Sequence, residues 1–228
     1  MIRAEVLDTA AVPDGNGELQ LLRRPLRPID EFTIRVAGGT ELMNSRRHSS
    51  EDALGTLGCA PLRSVPNARV LIGGLGMGFT VRAALDQLQP DACLIVAELV
   101  PEVVAWNKRW LGEVSGHPLQ DDRVEPKVAD VGALIKQEPA SYDAILLDVD
   151  NGPEALTHES NAGLYSIAGL AHSHAALREG GALLVWSSSP DRAFGKRLNH
   201  AGFDVEEHRV RAHGRKGARH IVWRARRS

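Results

Sequence analysis

Three acidic side chains, Glu98, Asp130 and Asp148, stand where short strand-like runs end, and a glycine-rich bend, Gly73-Gly74-Leu75-Gly76-Met77-Gly78, precedes all of them. Glycines let a backbone take positive φ and approach a ligand closely, and they leave amide donors free at the start of the helix that follows. A carboxylate at the tip of the second apolar run, as Glu98 is, suits the two hydroxyls of a ribose. The bend reads Gly74-Leu75-Gly76-Met77-Gly78, so its last glycine falls one place earlier than in the dinucleotide fingerprint G-x-G-x-x-G. Bulky Phe79 then stands where that pattern wants a small residue. The chemistry these positions suggest is capture of a nucleoside-bearing ligand by backbone amides and strand-tip carboxylates.

The elements that must position them are legible in the hydrophobic pattern. Runs over 68–72, 92–97, 124–128, 142–147 and 182–186 read as strands, the first, second and fourth apolar but for Arg69 and Asp143 near their starts, as in a sheet buried on both faces. Segments over 80–88, 102–111, 165–177 and 192–201 read as the intervening helices, and 203–208 with 220–224 as a closing antiparallel pair. Repeated β-α order finished by a hairpin predicts an α/β fold: a Rossmann-like, doubly wound, mostly parallel sheet over 48–228. Residues 1–47 differ, with strand candidates at 17–22 and 31–36, and predict a small N-terminal β-hairpin or three-stranded flap. Such a flap either covers a sheet edge or leans over the ligand site. Ser49 or Ser50 is expected to cap the helix that follows it. Trp106 and Trp110, four residues apart, read as core packing.

With 228 residues, 43% hydrophobic and 25% charged, the chain suffices for one sizeable core plus an appendage. A net charge of −2 argues against a dedicated polyanion binder. The C-terminal segment is nonetheless basic, with Arg209, Arg211, Arg215, Lys216, Arg219, Arg224, Arg226 and Arg227. Only Trp223 interleaves with it, so it reads as a solvated edge and nucleic acid is not an expected partner. Cys59 and Cys93 lack C-x-x-C spacing, and Cys93 opens a core strand, which predicts a buried thiol at Cys93, no disulfide and a reducing cytoplasm. The nine histidines show no metal-ligand spacing, so no metal is expected, and no run is long and apolar enough to span a bilayer. His48 alone among them is placed near the site.

From about residue 64 to 190 the chain resembles the spermidine synthase-like branch of the class I S-adenosylmethionine-dependent transferases. The resemblance is carried by Val70-Leu71-Ile72-Gly73-Gly74, Val96-Ala97-Glu98-Leu99, Asp121-Asp122-Arg123-Val124 with Ala129-Asp130, Tyr142-Asp143-Ala144-Ile145-Leu146-Leu147-Asp148, and Leu177-Arg178-Glu179-Gly180-Gly181. It implies that Gly73, Gly74, Leu75, Gly76 and Gly78 hold the methionine-derived part of S-adenosylmethionine and that Glu98, beside Leu99, takes the ribose hydroxyls. It also implies that Asp130, beside Val131, accepts from the adenine amino group and that Asp148 stands at the reacting centre. Two departures stand out. The family's Gly-Gly-Gly-Asp-Gly loop, whose aspartate binds the amine of decarboxylated S-adenosylmethionine, is here Gly73-Gly74-Leu75-Gly76-Met77. The Asp-Ser-Ser-Asp-Pro segment is here Asp148-Val149-Asp150-Asn151-Gly152-Pro153, with either Asp150 or Asn151 at the base position. Asp150 reads equally as a turn cap. The missing loop acid favours methyl transfer from S-adenosylmethionine to a small amine or other heteroatom, with Asp148, Asp150 and Asn151 orienting the acceptor. The alternatives are aminopropyl transfer from decarboxylated S-adenosylmethionine to a di- or polyamine, and a non-catalytic nucleoside- or RNA-binding module. The resemblance further implies a homodimer.

Overall fold

The computed structural model describes residues 4–12, 17–39, 41–149, 163–213 and 216–228. Two sheets organise them. The first is an antiparallel meander in sequence order: β1 (Glu5–Ala11), β2 (Glu18–Arg24), β3 (Glu31–Val36) and β4 (Glu41–Asn44). It is larger than the hairpin or three-stranded flap expected. The extra strand β1 pairs Ala10 with Leu19 and Val6 with Leu22, although its own sequence buries only Ala10. Its partner rather than its pattern makes it a strand, and this is why pattern reading passed over it. Leu21, Phe32 and Ile34 carry the buried face of this sheet into the main core.

The second sheet has seven strands: β5 (Arg69–Gly73), β6 (Cys93–Glu98), β7 (Val124–Val128), β8 (Tyr142–Leu147), β9 (Leu177–Ser187), β10 (Phe203–His213) and β11 (Lys216–Arg227). Their order is β10-β11-β9-β8-β5-β6-β7. Neighbours from β9 to β7 are parallel, and β11 inserts antiparallel between β9 and β10. This is the doubly wound, Rossmann-like arrangement the sequence predicts, closed by its antiparallel pair. Alternate side chains feed two cores. Val70, Ile72, Leu94, Val96, Ala144 and Leu146 face one; Leu71, Ile95, Ala97, Ile145 and Leu147 face the other. Each such fully buried aliphatic side chain is worth about 1.5–3 kcal/mol, which is why the central strands read as unbroken apolar runs.

The first core is covered by α1 (Ser49–Cys59), α2 (Phe79–Leu85) and α3 (Pro101–Trp106), and the second by α4 (Val131–Gln137), α5 (Ile167–Ala176) and α6 (Arg192–His200). Trp106 is fully buried and its Nε1 donates to Asp8 Oδ2 at 2.9 Å, joining the small sheet to the large one. Trp110 packs at the core margin beneath the Arg109 guanidinium.

Several boundaries differ from expectation. No serine caps α1: His48 occupies the N-cap position without a side-chain cap bond, and Ser50 Oγ instead donates to Glu51 Oε2 at 2.5 Å. The segment Leu177–Gly181, expected to end a helix, opens β9, where Tyr142 pairs with Leu177 and Gly180 takes φ +75° at a register shift. Cys93, expected to be buried, is only half-buried, Cys59 is buried, and both are free thiols. The basic C-terminal side chains are partly internal: Arg227 donates to the carbonyls of His174 and Leu177 at the end of α5, while Arg224 pairs with Glu206.

Candidate active site

The chain leaves β5 toward β6 and β7, then returns past β5 to β8. The winding therefore reverses between β5 and β8, and the crevice beyond their carboxyl ends is where open α/β sheets bind ligands. The glycine bend leaves β5 there, and Asp148 leaves β8 beside it. Asp148 N–H donates to Gly73 O at 2.9 Å. A Cβ on Gly74 would lie 2.3 Å from the Asp148 carbonyl oxygen, and Gly74 has φ +88°. Only glycine allows the two strand ends to approach this closely.

Glu98 holds the bend from the other side. Leu75 N–H donates to Glu98 Oε2 and Val100 N–H to Oε1, both at 2.9 Å. Burial raises the Glu98 carboxyl above the usual carboxylate range, and the backbone donors of Val100, Leu75 and Gly76 oppose that rise. Asn107 supports the next residue along: its Nδ2 donates to Gly76 O at 2.7 Å and to Val103 O at 2.9 Å. Asn107 begins a π-helical turn, Asn107–Leu111, that continues α3, and its Oδ1 is buried with no partner among the described residues. Sequence reading missed it. The available signal was a polar residue inside the apolar stripe that Trp106 and Leu111 mark.

Asp148 is a strongly perturbed acid of the site. Thr80 Oγ1, in the first turn of α2, donates to Asp148 Oδ2 at 2.6 Å. Burial, reinforced by the neighbouring Glu51 carboxylate, pushes the Asp148 carboxyl up to about 7 against the Thr80 bond. Glu51 lies in the first turn of α1, where burial raises its own carboxyl, and its backbone carbonyl accepts from the same Thr80 hydroxyl at 3.3 Å. His48 stacks on Phe79 with ring centroids 3.9 Å apart, and its Nδ1 meets Asp52 Oδ2 at 2.7 Å. His48 thus does stand at this end of the sheet. From above, Met43 of β4 lies against the bend: a Cβ on Gly76 would come within 2.6 Å of its Cε. The small sheet therefore leans over the crevice.

The remaining expected site residues are placed as follows. Val131 is buried against Gly73, where an added Cβ would meet Val131 Cγ2 at 2.9 Å. Leu99 is 40% exposed beside Glu98. Asp130 is exposed, and its Oδ1 accepts from Gly132 N–H at 2.7 Å as the N-cap of α4. Gly78, at φ +86°, is the N-cap of α2. Asp150 and Asn151 lie outside the described residues. The crevice brings together the glycine bend, Glu98 and Asp148, and adds Glu51, Thr80 and Asn107.

Comparison with known proteins bears on what this crevice does. No family model matches the chain. Over 131 residues it is 30% identical to the polyamine aminopropyltransferase of Bacillus mycoides, a match spanning 57% of this chain and 45% of that relative. The chain thus spans less than half the length of this curated relative. In fold it matches the spermidine synthase of Thermotoga maritima with a TM-score of 0.76, at 14% identity over 98% of this chain and 72% of that one. A spermidine synthase in complex with the transition state analogue AdoDATO gives 0.75 at 15% identity, with the same coverage. A probable spermidine synthase from Corynebacterium glutamicum gives 0.66 at 18%, over 99% of this chain and 81% of that one. These matches overturn the expectation of methyl transfer: the relatives are named for aminopropyl transfer and spermidine synthesis, so the absent loop acid does not mark a methyltransferase. The chain has the spermidine synthase fold and, in sequence and in fold, resembles the spermidine synthase-like branch of the class I S-adenosylmethionine-dependent transferases.

Proposed function

We propose that this chain transfers an aminopropyl group from decarboxylated S-adenosylmethionine to a small di- or polyamine. The observation that carries the reading is a half-buried carboxyl, Asp148, held near neutrality and directly against a glycine bend that a second half-buried acid, Glu98, clamps in place. The residues fit the donor. Glu98 is a strand-tip carboxylate suited to ribose hydroxyls, and the buried, unpartnered Oδ1 of Asn107 offers an acceptor beside the bend. Exposed Leu99 offers an apolar surface for a base. The bound donor would supply a sulfonium whose positive charge is lost on transfer, so the protein's task is to position the acceptor and exclude water.

Asp148 performs the proton step. An amine acceptor is protonated at neutral pH and must lose a proton to become a nucleophile. A carboxyl near 7 accepts that proton far better than one near 4, and its Thr80 bond fixes which oxygen points into the crevice. Asp150 and Asn151 follow in sequence; the resemblance aligns one of them with the family's base, and with the proton step given to Asp148 both are assigned to acceptor orientation. The test is incubation with decarboxylated S-adenosylmethionine and putrescine, with S-methyl-5′-thioadenosine read by mass-resolved chromatography. Its formation, dependent on the amine and abolished in Asp148→Asn, is the expected result. Absence of product, or equal turnover by the variant, refutes the reading.

A further inference from the structure

Resting on that reading, the geometry points to Glu51 as the residue that selects the donor by pairing with the ammonium of its aminopropyl group. A primary ammonium brought into a partly buried crevice needs a carboxylate partner, because an unpaired buried charge is strongly disfavoured. The glycine bend carries no acid. Its midpoint cannot gain one without rearrangement, because Met43 fills the space a Gly76 side chain would need, with Cε 2.6 Å from the Cβ position. The other acids of the crevice among the described residues are engaged. Both oxygens of Glu98 accept backbone amides of the bend and of the following turn. Asp130 is exposed and caps α4. Asp148 is assigned to the acceptor's proton.

Glu51 is left. It enters from α1, shares Thr80 with Asp148 through its own backbone carbonyl, and its carboxylate disfavours the ionisation of Asp148, while His48 favours the charged form of Glu51. A carboxylate set against a second one that no cation offsets is the electrostatic form expected of a site built for a cation. Ser50 Oγ, donating to Oε2, fixes one oxygen of Glu51. Glu51 therefore acts on selection of the donor, while Asp148 acts on the acceptor.

The test is calorimetric titration of the parent chain and of Glu51→Gln with two ligands: decarboxylated S-adenosylmethionine, and S-methyl-5′-thioadenosine, which lacks the ammonium. The expected result is a loss of about 10- to 100-fold in affinity for the first ligand with the second unchanged. The thioadenosine doubles as the folding control. Returning an acid to the bend with room for it, Gly76→Asp with Met43→Ala in the Glu51→Gln background, should recover donor affinity. Unchanged donor affinity in Glu51→Gln overturns the inference while leaving the proposed activity standing, as does a raised KM for the acceptor amine alone. A folded parent chain that binds neither ligand overturns both.

Discussion

Asp148→Asn should make the free protein more stable as it destroys its activity. An aspartate ionises ordinarily near 3.8, and in the folded chain this one is pushed to about 7, chiefly by burial and next by the Glu51 carboxylate. A rise of that size corresponds to about 4 kcal/mol carried by the ionised folded state at neutral pH. Because the folded carboxyl ionises later than the unfolded one, its contribution to stability is fully present below about pH 4. It is lost progressively as pH rises to about 7, and constant above. Asparagine removes the ionisation and keeps an oxygen able to accept from Thr80 Oγ1. The variant should therefore gain about 2–4 kcal/mol over the parent at pH 8, or about 4 to 16 °C in melting temperature for a chain of this size. At pH 4 the two should melt together. Paired calorimetric scans at pH 4, 6 and 8 measure this difference directly. A variant no more stable than the parent at pH 8, or a gain that is the same at pH 4, refutes the assignment of Asp148 as a strained buried carboxyl.

Four further outcomes follow from the same geometry. The rate at limiting acceptor should rise with pH through about 7 as Asp148 ionises, and Glu51→Gln should move that limb to lower pH by removing a carboxylate that hinders the ionisation; a limb unmoved in the variant would show that the two do not interact. Gly74→Ala should cost about 3 kcal/mol or more, since its Cβ meets the Asp148 carbonyl oxygen at 2.3 Å and its φ is +88°, and urea denaturation reads the loss. Asn107→Leu frees the Gly76 carbonyl and should weaken S-methyl-5′-thioadenosine binding about tenfold, measured by titration, with a smaller effect on melting. Arg123→Met should cost about 2–3 kcal/mol of stability and leave thioadenosine affinity unchanged, because Arg123 forks onto Asp121 at 2.8 and 2.9 Å and donates to the carbonyls of Leu85 and Leu88, remote from the ligand groups.

The last of these shows what the sequence made legible and what it did not. Asp121-Asp122-Arg123-Val124 is a family mark in the sequence, and its physical basis is a half-buried fork that closes the end of α2 and leads into β7. Strand tips are legible because β5, β6 and β8 are buried on both faces, so their runs are apolar after Arg69 and Asp143 and stop abruptly at Gly73, Glu98 and Asp148. Glu51 was not, because nothing local distinguishes an acid in a helix's first turn from the many that merely favour the helix dipole. Its meaning comes from Thr80 and Asp148, 29 and 97 residues away in the chain, which only the packing of α1 on α2 brings to it. Asn107 was hidden for the converse reason: a polar residue in an apolar stripe is visible, but the carbonyl it serves lies 31 residues earlier. Strand β1 escaped because its side chains are mostly exposed and its register is imposed by β2.

These long-range pairings bear on one another. A carboxylate pair at the end of a sheet lowers the stability of the empty protein, and the surrounding backbone gives neither member a way out. Gly74 holds Asp148 by close contact, Thr80 holds its oxygen, and α1 holds Glu51 through Thr80 again. The repulsion can be relieved in only two ways, by a shared proton or by a bound cation. At neutral pH the first is partly spent, because the Asp148 carboxyl is near its midpoint. A cationic amine entering the crevice converts the repulsion into attraction, so substrate binding should itself favour the ionised form of Asp148. That is a directional coupling: amine binding brings the carboxyl to its proton-accepting form, and an uncharged isostere of the amine leaves it protonated.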